Sequence, residues 1–142
     1  MKLEEIEQLI KSGKTLEEIL KLIDWKEFEE KVEEIFKIHG FKTIRNFRFK
    51  TRKRYEIDLV AEKDYVIFAV DCKKWSRGRY KISELKKFAV KQKERALELK
   101  NFFKTEKDVI PLILTLYDEG INEFEGTLII PSFKLNNFLL QY

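Results

Sequence analysis

Apolar residues at helical spacing mark the first forty residues of the chain. They predict two short amphipathic helices, over residues 3–10 and 16–23, separated by Ser12-Gly13-Lys14. A longer helix, Trp25–Ile38, has one apolar stripe and a stop signal at Gly40. Residues 1–23 are therefore predicted to form an N-terminal helical hairpin that packs on the core.

Alternating and continuous apolar runs then predict a mixture of strands and helices. Three strands are expected over residues 41–50, 55–61 and 65–72, and the short connection between the last two is compatible with a hairpin. A long helix follows over Ile82–Phe103, then strands over residues 109–117 and 126–130. Ser132 is predicted to cap a last short helix that runs to Leu140. With no repeat and no linker, we predict one α/β domain over residues 1–142, with its core at 25–131 and a C-terminal helix at 132–142.

Composition narrows the class of protein. A hydrophobic fraction of 44% and 12 phenylalanines indicate a packed globule of 142 residues. The chain has no apolar run of about 18 residues and begins with acidic residues, so we expect a cytoplasmic protein with no membrane partner. Cys72 is the single cysteine, which excludes an internal disulfide and a cysteine-based zinc site.

Positive charge is concentrated in two acid-free stretches. Residues 41–55 contain seven basic residues and residues 73–81 contain five. Removing these twelve from the total of 29 leaves 17 basic residues against 25 acidic ones in the rest of the chain. This asymmetry is typical of a surface that attracts a polyanion to one place.

The tripeptide Asp71-Cys72-Lys73 lies between these stretches and follows the apolar run of residues 66–70. An acid followed two positions later by lysine occurs five times in the chain, but the other four copies lie in helical segments, where such charges form solvated faces. Asp58 likewise interrupts an apolar strand. Charges in a strand interior need a cation, a partner or water.

These residues converge if the hairpin register brings the strand ends together. Asp71 and Lys73 point to one face of their strand, and Asp58 belongs to the neighbouring strand. Two carboxylates, the Cys72 backbone carbonyl and water would make an oxygen-rich site that favours Mg²⁺, with Mn²⁺ as a substitute, over zinc. Lys73 would orient the attacking water or neutralise charge on a phosphate.

Three motifs resemble those of a known superfamily. Phe28-Glu29 followed by Gly40-Phe41, Ile57-Asp58-Leu59, and Asp71-Cys72-Lys73-Lys74-Trp75 resemble the PD-(D/E)XK nucleases, in particular their Mrr-like restriction endonuclease branch. Archaeal Holliday-junction resolvases are similar more distantly. The chain departs from the pattern at Ile57, where the superfamily has proline, and at Asp71, where the Mrr-like branch often has glutamine.

The resemblance implies a fold and a set of roles. The expected fold is an αβββαβ core with a mixed central sheet flanked by helices. Asp58 and Asp71 would bind metal, Lys73 would be the catalytic lysine, Glu29 would lie near the site, and Gln92 is an accessory candidate. Glu56 is a further accessory candidate, although we expect it to be a cross-strand partner of a basic residue.

The predicted function is that of a Mg²⁺-dependent endodeoxyribonuclease that hydrolyses phosphodiesters with metal-activated water. Its DNA contacts are expected at eight basic residues: Arg45, Arg48, Arg52, Lys53, Arg54, Lys74, Arg77 and Arg79. Alternatives are a structure-selective junction or flap nuclease and a non-catalytic DNA-binding protein, for which the acids and Lys73 would be a structural ion pair. RNA as the ligand and a homodimer as the assembly remain open.

Overall fold

The computed structural model of the protein describes residues 24–73 and 82–142, together with residues 5, 8 and 11–13. The predicted N-terminal hairpin over residues 1–23 therefore lies almost entirely outside the described residues, as do Lys74, Arg77 and Arg79. The elements, in chain order, are α1 (Trp25–Ile38), β1 (Lys42–Lys50), β2 (Arg54–Lys63), β3 (Val66–Cys72), α2 (Ile82–Phe103), β4 (Asp108–Thr115), β5 (Glu123–Phe124), β6 (Thr127–Pro131), a 3₁₀ turn (Ser132–Lys134) and α3 (Leu135–Leu139).

The strands form one six-stranded mixed sheet in the order β1-β2-β3-β4-β6-β5. The first three strands are antiparallel neighbours, whereas β4 pairs in parallel with both β3 and β6. The helix α2 provides the crossover between β3 and β4, as a parallel pair requires. The predicted mixed sheet and the αβββαβ order are confirmed, and β5 is an additional two-residue edge strand, too short for an apolar period to reveal.

Helices cover both faces of the sheet. On one face, α1 contributes Phe28, Val32 and Phe36 to a cluster that α3 completes with Leu135 and Leu139. On the other face, α2 packs over the sheet through two further clusters, which include Ala89, Ala96 and Leu99. The central strand β3 is buried on both sides, and its residues 67–70 are almost inaccessible to solvent. In the described part of the chain, no helix is long and apolar enough to cross a membrane.

Helix ends explain how α1 is fixed and where one prediction is wrong. Asp24 caps α1, because its side chain accepts hydrogen bonds from the N–H groups of Lys26 and Glu27. His39 ends α1, and its Nε2 lies 2.7 Å from Asn136 Oδ1. Ser132 is not the predicted helix cap: it is the buried first residue of the 3₁₀ turn, and Lys134 occupies the N-cap position of α3.

Candidate active site

The register of the β2–β3 hairpin places two acids opposite each other. The pairing runs from Lys63 opposite Val66 to Leu59 opposite Val70. One more step along both strands brings Asp58 opposite Asp71, where the ladder has ended. Asp58 Oδ2 accepts a hydrogen bond of 3.0 Å from the N–H of Cys72, which fixes this carboxyl group against the end of β3.

The backbone is irregular at the same level. Tyr55, Ile57 and Val60 all belong to the cluster below α2, so the alternation of inward residues slips by one between Ile57 and Val60. On β1, the register would place Asn46 opposite Asp58, and Asn46 has a positive φ of 50°. An Asn tolerates this left-handed conformation better than most residues do. The slip lets Asp58 leave the regular pleat and meet the end of β3.

Crowding of carboxyl groups changes the chemistry of Asp58. Burial, followed by a hydrogen bond with the Asp71 carboxyl and its negative charge, raises the pKa of Asp58 from 3.8 to about 7. The charge of Glu29 acts in the same direction, whereas the N–H of Cys72 opposes the rise by favouring the ionised form. The fold therefore favours the protonated form of Asp58, and a metal ion could offset the same crowding of negative charge.

Lys73 completes the cluster one residue beyond β3. Its Nζ lies 2.8 Å from Asp71 Oδ2 and 3.9 Å from the centre of the Phe88 ring on α2. Its N–H donates to the Leu114 carbonyl, which holds the backbone in line with β4. The ammonium meets Asp71 Oδ2 outside hydrogen-bonding angles, and within the described ranges that buried oxygen accepts no hydrogen bond.

Glu29 approaches the site from α1. Its Oε2 lies 3.3 Å from a guanidinium nitrogen of Arg45 on β1, and both side chains are largely buried. The negative charge of Glu29 is close enough to Asp58 to raise the pKa of that residue. The structure therefore brings together all four residues for which a catalytic role was predicted: Glu29, Asp58, Asp71 and Lys73.

Comparison with known proteins identifies the family. Residues 20–106, more than half of the chain, match the family model Mrr_cat, described as restriction endonuclease. The chain belongs to this restriction endonuclease family. An uncharacterized protein of Archaeoglobus fulgidus is 36% identical over 116 residues, which cover 81% of this chain and 88% of the relative.

One solved structure agrees with the restriction endonuclease fold. The small subunit of the heterodimeric restriction endonuclease R.BspD6I superposes with a TM-score of 0.52 at 15% identity, covering 98% of this chain and 75% of that subunit. A protein of unknown function, AF1548, gives a TM-score of 0.49 at 21% identity over 78% of this chain. The chain spans about half of the length of AF1548. Together with the family match, the first likeness confirms the predicted PD-(D/E)XK superfamily.

The candidate site fits a divalent metal by its donor set. Among the described residues no three acidic, histidine or cysteine side chains form a ready-made metal cage. Mg²⁺, however, is commonly bound by one or two carboxylates together with water and substrate phosphates. Asp58, Asp71 and the adjacent peptide of Cys72 supply such a set, and the buried Asp71 Oδ2 has a free acceptor direction. The Cys72 carbonyl as a ligand stays a prediction.

The two accessory candidates have structural partners. Glu56 lies opposite Arg48 and forms an ion pair of 3.5 Å with it, as expected of a cross-strand partner. Gln92 on α2 is buried, and its Nε2 donates to the Ala69 carbonyl while its Oε1 accepts from Arg95. Gln92 thus ties α2 to β3 two residues before Asp71, and its accessory role in the site stays a prediction.

Several basic residues predicted to bind DNA already have acidic partners. Besides Arg45 and Arg48, Arg52 pairs with Glu98 at 3.0 Å and Lys53 pairs with Glu94 at 3.5 Å. Sequence reasoning missed Phe88 as a neighbour of Lys73. The position of Phe88 was a usable signal, because it lies one turn before Gln92 on the face of α2 that covers the sheet. An apolar residue on such a face is, however, ordinarily interpreted as part of the core.

Proposed function

We propose that this member of the restriction endonuclease family is a Mg²⁺-dependent DNA endonuclease. The observation that carries the proposal is the meeting of Asp58, in the middle of β2, with Asp71, near the end of β3, and with the Lys73 ammonium 2.8 Å from Asp71. A structural ion pair needs one acid and one base. A second carboxyl group raises the energy of the ionised cluster, as the pKa of about 7 for Asp58 indicates, and a divalent cation would relieve that repulsion.

Asp58 and Asp71 would hold the metal, and Mn²⁺ would substitute for Mg²⁺. A divalent cation at this position would supply Lewis-acid activation of a water molecule and of the scissile phosphate. The Cys72 N–H would keep one oxygen of Asp58 in place and leave the other free. Glu29, fixed by Arg45, would add negative charge that favours retention of the cation.

Lys73 would act on the attacking water or on the phosphate. Its ammonium is held between Asp71 and the face of Phe88, so little reorganisation is needed when substrate binds. An ammonium at this position would orient a water molecule or stabilise negative charge that develops on the phosphate. The basic residues of β1 and β2 would attract the DNA backbone towards the site.

Cleavage by purified protein tests the proposal. Wild type is expected to nick supercoiled plasmid DNA in Mg²⁺ and to be inactive in excess chelator. Asp71→Asn preserves the shape of the side chain and removes the charge, so we expect it to abolish nicking while leaving DNA binding in Ca²⁺ largely intact.

Asp108→Asn is the matched control, because Asp108 is an exposed acid at the opposite end of the sheet and pairs in register with Val66. It is expected to cleave at the wild-type rate. Undiminished nicking by Asp71→Asn would overturn the proposed role of the cluster.

A further inference from the structure

The basic stretch of β1 and β2 divides into neutralised and unpartnered residues. Arg45, Arg48, Arg52 and Lys53 each form an ion pair with an acid of this chain. Lys42, at the far end of β1, lies opposite Glu62, whose carboxylate pairs with Lys107. Within residues 24–73 and 82–142, no acid partners Lys50 or Arg54. At the turn end of this stretch, these two residues are therefore the sites where positive charge is not offset by the described fold.

Lys50 and Arg54 also lie directly opposite each other. They form the last cross-strand pair of β1 and β2 before the turn, and both are exposed. Like charges at directly opposed positions of an antiparallel pair repel each other and destabilise the sheet. A bound anion between the two side chains would remove that repulsion.

The neighbouring turn residues have a different environment. Glu98 of α2 is buried, accepts a hydrogen bond from the Thr51 hydroxyl and pairs with Arg52. The Thr51 hydrogen bond and the Arg52 charge lower the pKa of Glu98. Arg52 thus anchors the turn to α2, and using it for DNA would leave a buried carboxylate without its cation.

The surface around the unpartnered pair is concave. A shallow groove of about 520 Å³ is lined by Arg48, Phe49, Lys50, Arg54, Tyr55 and Glu56. Arg54 lies four residues before Asp58 on β2, and it is exposed next to buried Tyr55. Four residues along a strand correspond to about 13 Å, so the pair would reach a phosphate beyond the scissile one.

We propose that Lys50 and Arg54 form a phosphate-binding pair that holds the backbone of duplex DNA next to the cleavage site, whereas Arg52 and Lys53 fix the turn. This rests on the proposed function in so far as the substrate is DNA. Lys50 was not among the eight basic residues expected to contact DNA from the sequence.

The salt dependence of DNA binding tests the assignment. Binding of a labelled linear duplex is measured by anisotropy in Ca²⁺ between about 50 and 200 mM salt, where each neutralised phosphate contributes about 0.9 to the slope of log K against log salt. Lys50→Gln/Arg54→Gln is expected to weaken binding and to reduce that slope by about 1.8. Because the substitution removes a repulsion, its thermal midpoint should equal or exceed that of wild type.

Two variants of equal charge serve as controls. Lys91→Gln/Lys93→Gln removes two exposed charges from α2 and should leave the slope unchanged. Arg52→Gln/Lys53→Gln should lower the thermal midpoint and change the slope less than the Lys50/Arg54 variant does.

Each outcome decides the assignment. An unchanged slope for the Lys50/Arg54 variant, with normal binding by wild type, would overturn the phosphate pair and leave the proposed nuclease intact. An equal decrease of the slope in the Lys91/Lys93 variant would show that the slope follows the net charge of the protein and not the position of the two residues. That result would also overturn the phosphate pair. Failure of wild type to bind DNA at low salt would remove both the pair and the proposed function.

Discussion

At the scale of single residues, Asp58 is the group whose state depends most on its surroundings. Its pKa is about 7 in the folded protein against 3.8 ordinarily, so the fold favours the protonated form. The stabilising contribution of that proton is complete below the ordinary pKa and is lost as the pH rises through about 7. Ionisation of Asp58 in the metal-free protein thus works against folding.

Thermal unfolding measured at a series of pH values in chelator tests whether ionisation of Asp58 destabilises the protein. The midpoint of wild type minus that of Asp58→Asn is expected to fall as the pH rises from about 4 to about 7 and to be flat above it. Titrating groups that do not interact with Asp58 cancel in the difference. Asp108→Asn, as a control, should keep the wild-type profile, and a difference that is constant over this range would contradict the raised pKa.

The Lys73 ammonium is expected to accelerate cleavage and to contribute little to DNA binding. Lys73→Met keeps most of the apolar stem over Phe88 and removes the charge, so the rate constant of cleavage should fall by about 10²- to 10⁴-fold. DNA affinity in Ca²⁺ should change little. Single-turnover kinetics, followed by the formation of nicked DNA, separate the rate constant of cleavage from DNA affinity. A wild-type rate constant in Lys73→Met would refute the role of the ammonium.

At the scale of elements, Gln92 connects α2 to the strand that presents Asp71. Gln92→Met has a similar volume but leaves the Ala69 carbonyl and the Arg95 guanidinium without their partner. The free energy of unfolding in urea is expected to fall by about 1–3 kcal/mol. Unchanged stability, combined with lost cleavage, would instead favour a direct role for Gln92 in the site.

Elements with long apolar periods were predictable, and those fixed by tertiary context were not. The bounds of α1 and α2 match those predicted from their apolar stripes. Each helix is long enough for many residues to show the same helical periodicity. The two-residue strand β5 has no period to detect. Ser132 has the chemistry of a cap, but it begins a 3₁₀ turn directly after β6, and the N-cap position of α3 falls on Lys134.

At the scale of the whole molecule, the candidate site could be predicted because its residues interrupt strands that the core requires. Asp58 and Asp71 stood out as charges in apolar runs, and the hairpin register then brought them together. The pairing of Arg52 with Glu98 could not be predicted, since 46 residues separate them and only the packing of α2 makes them neighbours. A sequence shows where basic residues are dense, but the fold decides which of them are neutralised.

The most direct test of a metal centre shared by Asp58 and Asp71 is a calorimetric titration of Mn²⁺ into the metal-free protein at pH 8. Wild type and Asp108→Asn are expected to bind Mn²⁺ with the same affinity. Both should release less than one proton per Mn²⁺ bound, since Asp58 is largely ionised at this pH. Asp58→Asn and Asp71→Asn should each lose most of that affinity. Wild-type affinity in either of these two variants would contradict the shared metal centre.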